Sequence, residues 1–184
     1  MKKTIFAGFG GQGVLMMGYA YAVAAMNDGM EVTYLPSYGA EMRGGTANCT
    51  VAVSDEEIYS PVASSPDHSV ILNKPSLIKF ESAMIEGGLI ILNSSLVDME
   101  PSRSDIATVK IPANDLAKKE FRNERTVNMI MLGAFVAKTG MTSIDSIMKA
   151  LDEVTKGKNV GSLMKTNLRS LNLGADYILQ GASR

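Results

Sequence analysis

Gly8-Phe9-Gly10-Gly11-Gln12-Gly13 matches G-x-G-x-x-G, a spacing that lets backbone N–H groups converge on a phosphate. A side chain at the glycine positions would block that approach, and a tight turn there demands backbone angles that glycine alone adopts freely. A second use fits the same residues: the glycines let a following helix pack closely on the strand before it. Binding of a dinucleotide such as NAD fits less well. Its ribose calls for an acid at the end of the second strand, about 20 residues past the glycines, and that end reads Tyr34-Leu35-Pro36-Ser37. Glu31 stands at the strand's beginning, the wrong edge.

Tyr38, Glu41, Arg43, Gly44 and Gly45 fall in a polar, glycine-bearing stretch after that strand. Arg43 is a fork-shaped cation beside two glycines, able to grip a phosphate or carboxylate while neighbouring amides add donors. The plainer reading is a surface pair between Glu41 and Arg43 worth under about 1 kcal/mol. Ligands in open α/β sheets collect at the carboxyl ends of strands, so this loop and the first glycine loop are expected to face one crevice. The candidate binding set is thus Gly8, Gly10, Gly11, Gln12 and Gly13 with Tyr38, Glu41, Arg43, Gly44 and Gly45.

Other reactive side chains carry less. His68, the single histidine, has no nucleophile motif beside it and reads as structural. Cys49 lies in strand-like alternation, where a buried, inert thiol is the usual outcome. Asp67, Asp98 and Asp105 lack metal-ligand spacing, and no metal is assigned.

The elements that must hold these loops follow from the pattern. Thr4 to Phe9 reads as a buried strand, Val14 to Asn27 as a helix stopped at Asp28-Gly29, and Met30 to Leu35 as a second strand, together a β-α-β unit. Asn48 to Val53 resumes a strand, with Ile58-Tyr59 as a candidate hairpin partner that would make the sheet mixed. Ser69 to Leu72 and Leu89 to Leu92 flank a helix opened by Pro75 and closed by Gly87-Gly88, and Ile106 to Ile111 is a further strand. Helices are expected over 114–121, 127–138, 144–154 and 163–179, with Thr142 and Asp145 as an N-terminal capping pair for the third. The fold class is α/β: a Rossmann-like three-layer sandwich with a largely parallel central sheet and a helical C-terminal third.

With 184 residues, 46% of them hydrophobic, the chain suits one domain, 1–184. A net charge of -1 argues against nucleic acid and anionic membrane as partners. One cysteine cannot form an internal disulfide or ligate a cluster through several thiolates. Lys2-Lys3 and the apolar residues after them start like a secretory leader, but the run breaks at Gly8, and no stretch approaches 18 apolar residues. A reducing, cytoplasmic setting is expected. Thirteen methionines suit an irregular core. Met129-Ile130-Met131-Leu132 is apolar nearly all round its helix, which points to burial beyond one sheet face, by a subunit interface.

Three segments together resemble the gamma subunit, or gamma domain, of 2-oxoacid:ferredoxin oxidoreductases: Gly8 to Val14, Ser37-Tyr38-Gly39-Ala40-Glu41-Met42-Arg43-Gly44-Gly45-Thr46, and Asn128 to Gly133. The second is the specific one. Enzymes of that family decarboxylate a 2-oxoacid on thiamine diphosphate, pass electrons through iron–sulfur clusters to ferredoxin, and release acyl-CoA. The resemblance implies a chain that is inactive alone and holds no cofactor firmly itself. Alpha, beta and ferredoxin-like delta subunits would supply the rest. This sequence has no Gly-Asp-Gly with a following Asn pair and no Cys-x-x-Cys, consistent with that division. Gly10, Gly11, Gly13 and Arg43 would line a crevice facing the catalytic subunits, touching coenzyme A or supporting the thiamine site. Tyr38-Gly39-Ala40 and Gly45-Thr46 lean toward enzymes for 2-oxoglutarate, branched-chain or aryl oxoacids rather than pyruvate. Two rivals stand beside this reading: an independent nucleotide-binding enzyme, and a scaffold whose glycine loop is purely architectural.

Overall fold

Alternation along the first strand assigns its side chains to two separate cores. Ile5 and Ala7 point into a small cluster on one sheet face, and Phe6 into a much larger one on the other. A computed structural model describes residues 1–38, 46–60, 64–155 and 161–181. In chain order the elements are β1 (Lys2–Phe9), α1 (Val14–Asn27), β2 (Glu31–Tyr38), β3 (Thr46–Ser54), β4 (His68–Ile71), α2 (Lys74–Phe80), β5 (Leu89–Asn93), β6 (Ala107–Ile111), α3 (Ala113–Phe121), α4 (Val127–Thr139), α5 (Ile144–Val154) and α6 (Gly161–Gly181). Single 3-10 turns at Glu81–Ala83 and Glu124–Thr126 follow α2 and precede α4.

The six strands run in the order β2-β3-β1-β4-β5-β6. From β1 to β6 the neighbours are parallel. β3 is antiparallel to both β1 and β2, with Phe6 opposite Cys49 and Tyr34 opposite Val51. The mixed sheet therefore arises from β3 and not from the anticipated hairpin at Ile58-Tyr59, which forms no strand. The β-α-β unit is also altered: β1 and β2 do not pair, because β3 lies between them. β2 runs three residues past its expected end, through Pro36. It lies at the sheet edge, where a missing N–H is tolerated.

The layers are unequal. Side chains of α1, α3, α4, α5 and α6 enter the larger core, whereas the opposite core draws on α2. Phe6, Tyr21 and Phe135 tie β1, α1 and α4 together, with ring centroids 5.2 to 5.8 Å apart in tilted or edge-on pairs. Each such pair contributes about 0.5–1.5 kcal/mol beyond its buried area. α1 stops at Asp28, and Gly29 follows at φ 88°, the left-handed exit expected of a glycine there.

Two expectations need correction. Met129 to Leu132 is buried on all sides by this chain itself: α4 crosses α6 so closely that a Cβ on Gly133 would lie 1.9 Å from the Leu171 carbonyl oxygen, and one on Gly174 would lie 1.9 Å from that of Ile130. No subunit interface is required for it. The cap of α5 is Ser143, whose hydroxyl accepts from the Ser146 N–H at 3.0 Å. Thr142, one residue earlier, instead donates to the Asp28 carboxylate at 2.6 Å, and Ser146 donates to its other oxygen at 2.7 Å, pinning α5 to the end of α1.

Gly133→Ala should therefore destabilise the chain by about 1–3 kcal/mol or more through overpacking. Gly181→Ala, with nothing within 4 Å of the added methyl, should stay within about 1 kcal/mol of the wild type. Urea unfolding midpoints of the two variants check this contrast.

Candidate functional site

Because β1, β4, β5 and β6 are parallel, their carboxyl ends share one edge, and the loops leaving that edge enclose a cavity of about 480 Å³. The β1–α1 loop supplies Gly11, Gln12 and Gly13; Leu96 follows β5; Asn114 lies in the first turn of α3. The turn before α4 supplies Asn123, Glu124 and Arg125, and the first turn of α4 supplies Val127 and Asn128.

The glycine loop is held by its own side chain: the Phe9 N–H donates to Gln12 Oε1 at 2.6 Å, and the Gln12 N–H donates to the Phe9 carbonyl at 3.1 Å. Its glycines divide between the two uses left open by the sequence. A Cβ on Gly8 would meet Gln12 Oε1 at 2.6 Å and Val14 Cγ1 at 2.9 Å, so Gly8 serves close packing. Gly13, at φ 76°, lies against Asn128, whose Nδ2 would be 2.4 Å from an added Cβ. Gly11, at φ 95°, has open space around it on the cavity wall, and Gly10 is exposed. Gly13 is also the N-cap of α1. It offers no side-chain cap, and the first turn contains no acid. The positive end of the helix dipole is left for an outside anion.

Arg125 is the cation of the cavity wall. Its guanidinium has no ion pair among the described residues, whereas neighbouring Glu124 is paired to Lys118 at 2.7 Å. Asn123 caps the turn by accepting from the Arg125 N–H at 2.9 Å, which fixes the backbone from which the guanidinium projects. Asn114 adds an amide nine-tenths buried; its Oδ1 accepts from Asn93 at 2.8 Å and its Nδ2 has no partner among the described residues. An uncapped helix start, a guanidinium without an ion pair among the described residues and an amide donor open to solvent can together bind a phosphate.

Of the candidate residues, Gly11, Gln12 and Gly13 line this cavity and Gly8 supports it from behind. Glu41, Arg43, Gly44, Gly45 and the Tyr38 side chain lie outside the described residues. Sequence reasoning missed Arg125, Asn114 and Asn123, having weighed glycines and titratable groups. A signal was present: Asn73, Asn93 and Asn114 each stand at or just past the end of a parallel strand.

The remaining candidates sit away from the cavity. His68 opens β4 at the opposite edge, packed edge-on to Phe135 with burial holding its pKa below the usual value. Asp67, Asp98 and Asp105 are in ion pairs with Lys2, Lys74 and Arg103. No group of three His, Cys, Asp or Glu able to hold a metal occurs among the described residues, nor any helix long and apolar enough to cross a membrane. The absent ribose acid has a structural counterpart. With β3 inserted, the end of β2 is displaced from the glycine loop by an extra strand spacing, about 4.8 Å.

Residues 3–177 match the family described as pyruvate ferredoxin/flavodoxin oxidoreductase. The chain belongs to this family. It is 38% identical over 177 residues to ketoisovalerate oxidoreductase subunit VorA of Methanothermobacter thermautotrophicus, covering 95% of this chain and 36% of that subunit. It thus spans little more than a third of that relative's length. Against 2-oxoglutarate synthase subunit KorC of Methanocaldococcus jannaschii the identity is 35%, covering 89% of this chain and 90% of KorC. The crystal structure of the keto/oxoacid ferredoxin oxidoreductase gamma subunit from Geobacter sulfurreducens superposes with a TM-score of 0.82 at 28% identity, covering 98% of this chain and 99% of that one. The gamma-type architecture accounts for the whole described chain, with its mixed six-stranded sheet and helical C-terminal portion. A 2-oxoglutarate:ferredoxin oxidoreductase from Magnetococcus marinus, solved with 2-oxoglutarate, coenzyme A and succinyl-CoA bound, shares the fold at a TM-score of 0.87 and 24% identity, over 97% of this chain and 31% of its own.

Cys49 lies wholly inside this gamma-type fold, its Sγ donating to the Val14 carbonyl at 3.5 Å, and burial pushes its pKa from 9.0 up to about 12. A folded pKa above the unfolded one means that the stability owed to the neutral thiol is complete below pH 9 and is lost as pH rises toward 12. Maleimide at pH 8 should leave the native chain unlabelled and label it once in urea; equal labelling rates in the two states would contradict the burial.

Proposed function

We propose that this chain, acting as one domain over residues 1–184, is the gamma component of a cytoplasmic complex that converts a 2-oxoacid and coenzyme A to acyl-CoA and carbon dioxide, with release of a proton and two electrons to ferredoxin. Its companions are an alpha and a beta subunit carrying thiamine diphosphate and a ferredoxin-like delta subunit carrying the iron–sulfur clusters. The sole thiol is buried and cannot ligate a cluster, so electron transfer belongs to those companions.

Within that reaction the chain's own part is to bind and orient coenzyme A. The observation that carries this reading is the meeting, in one cavity of about 480 Å³, of the uncapped α1 start at Gly13 with the Arg125 guanidinium, which has no ion pair among the described residues. A phosphate of coenzyme A fits that pair of features. The helix start and Arg125 bind its charge, Asn114 adds a donor, and the apolar face of Leu96 borders the same space. Arg43 is proposed, on the family resemblance alone, as a second cation for the same ligand. The thiol end of the cofactor is thereby directed out of this chain, toward the thiamine carbon that holds the acyl group. The KorC and VorA relatives favour 2-oxoglutarate or a branched-chain oxoacid as substrate, in keeping with the Tyr38-Gly39-Ala40 and Gly45-Thr46 pattern.

Purification of the tagged chain from its own cell should bring down a thiamine-binding and a cluster-binding polypeptide. In that complex Arg125→Ala and Arg43→Ala should each raise the KM for coenzyme A by roughly 10- to 100-fold, the usual loss for a charge-assisted hydrogen bond. The KM for the oxoacid should stay unchanged. A chain that purifies alone and turns over substrate unaided would overturn the assignment, and unchanged coenzyme A kinetics in both variants would remove this subunit from the coenzyme A site.

A further inference from the structure

What the cavity can recognise depends on which end of each amide faces inward, and one amide is oriented by a residue outside the wall. Asn93 ends β5 and is fully buried. Its Oδ1 lies 3.3 Å from the Ser95 N–H and 3.3 Å from the Ala113 N–H, both of which donate to it. Backbone N–H groups can only donate, so this pair fixes which end of the Asn93 amide is oxygen. The Nδ2 end is left to donate, and it does so to Asn114 Oδ1 at 2.8 Å. Asn114 is 8% exposed and lines the cavity. With its oxygen engaged, its Nδ2 has no partner among the described residues and is not sealed from solvent. The orientation therefore passes from two backbone groups through Asn93 to Asn114, a residue of the cavity wall whose Nδ2 is left without a partner among the described residues.

We propose that Asn93 is a positioning residue that locks the Asn114 amide with its donor end toward the cavity, so that this wall takes hydrogen-bond acceptors, the phosphate or carbonyl oxygens of coenzyme A, and rejects groups that present N–H or positive charge there. The inference rests on the cavity being the coenzyme A site. Left unheld, an amide presents oxygen or nitrogen with nearly equal ease; the relay removes the choice.

Asn93→Asp tests the relay because it keeps the shape and both backbone bonds, while its second oxygen can only accept when ionised. Asn114 must then turn its Nδ2 toward β5 and show oxygen to the cavity. Coenzyme A is titrated at pH 8 into the full chain and into the complex that purifies with it. Asn114→Ala and Arg125→Ala should each weaken binding roughly tenfold or more. Asn93→Asp should weaken it at least as much as Asn114→Ala, and adding it to Asn114→Ala should change nothing further. Lowering the pH should restore binding to Asn93→Asp, since a protonated carboxyl regains the missing donor. Wild-type affinity in Asn93→Asp, or full additivity with Asn114→Ala, overturns the positioning role. Unchanged affinity in both Asn114→Ala and Arg125→Ala overturns the cavity reading instead. Should Asn93→Asp fail to fold, the wild-type chain labelled with 15N-asparagine decides. The Asn93 side-chain amide must exchange slowly and that of Asn114 must shift on addition of coenzyme A, whereas rapid exchange at Asn93 removes the relay.

Discussion

The pairing of Lys2–Phe9 with Thr46–Ser54, antiparallel and in unbroken register from Lys2 opposite Val53 to Phe9 opposite Thr46, governs much of what the molecule can do. It inserts a strand where a dinucleotide-binding sheet would place its second parallel one. The crossover through α1 must then span two strand spacings, and the end of β2 no longer flanks the glycine loop. The space beside that loop is built from the other side, by the segments after β5 and β6 and by the turn into α4. A G-x-G-x-x-G loop and a β-α-β order are thus retained while the ligand geometry that usually goes with them is replaced.

Three features of the cavity wall are donors. Gly13 leaves a helix start without a side-chain cap, the Arg125 guanidinium has no ion pair among the described residues, and the Asn114 amide keeps its nitrogen without a partner among them once its oxygen accepts from Asn93. The one carboxylate on the wall among the described residues, Glu124, is paired with Lys118 at 2.7 Å. Keeping donors unsatisfied costs stability that the folded chain recovers elsewhere, in the aromatic contacts among Phe6, Tyr21 and Phe135 and in the close crossing of α4 and α6. Such a distribution is typical of a surface prepared for an anionic ligand.

Element types were legible because hydrophobic period and glycine or proline punctuation act locally. Val14–Asn27 and Ile144–Val154 appear with the ends read from sequence, since Gly29 and the Ser143 region stop and start the backbone by short-range rules. Strand order was not legible. Nothing in Asn48 to Val53 says that it pairs with β1 rather than β2 alone, because pairing is decided by long-range burial of Cys49, Val51 and Val53 beneath α1. The all-round apolar character of Met129 to Leu132 was read correctly as burial but given the wrong partner. Small residues at 133 and 174 are a weak local signal whose meaning appears only when two helices meet. Of the site, the glycine loop was found by its spacing. Asn114, in the first turn of α3, and Arg125, in the turn before α4, were not, because only the tertiary fold brings those segments beside the glycine loop.

Among the described residues both margins of the sheet are open, since β2 and β6 each pair on one side only. An unpaired margin invites another copy to continue the ladder, and the hazard grows with the number of free backbone groups it presents. On β2 the eight-residue run is interrupted by Pro36, which has no N–H to give to an arriving strand. A residue that an internal strand could not accommodate therefore leaves this margin a poorer template for a further strand than an unbroken run of eight would be.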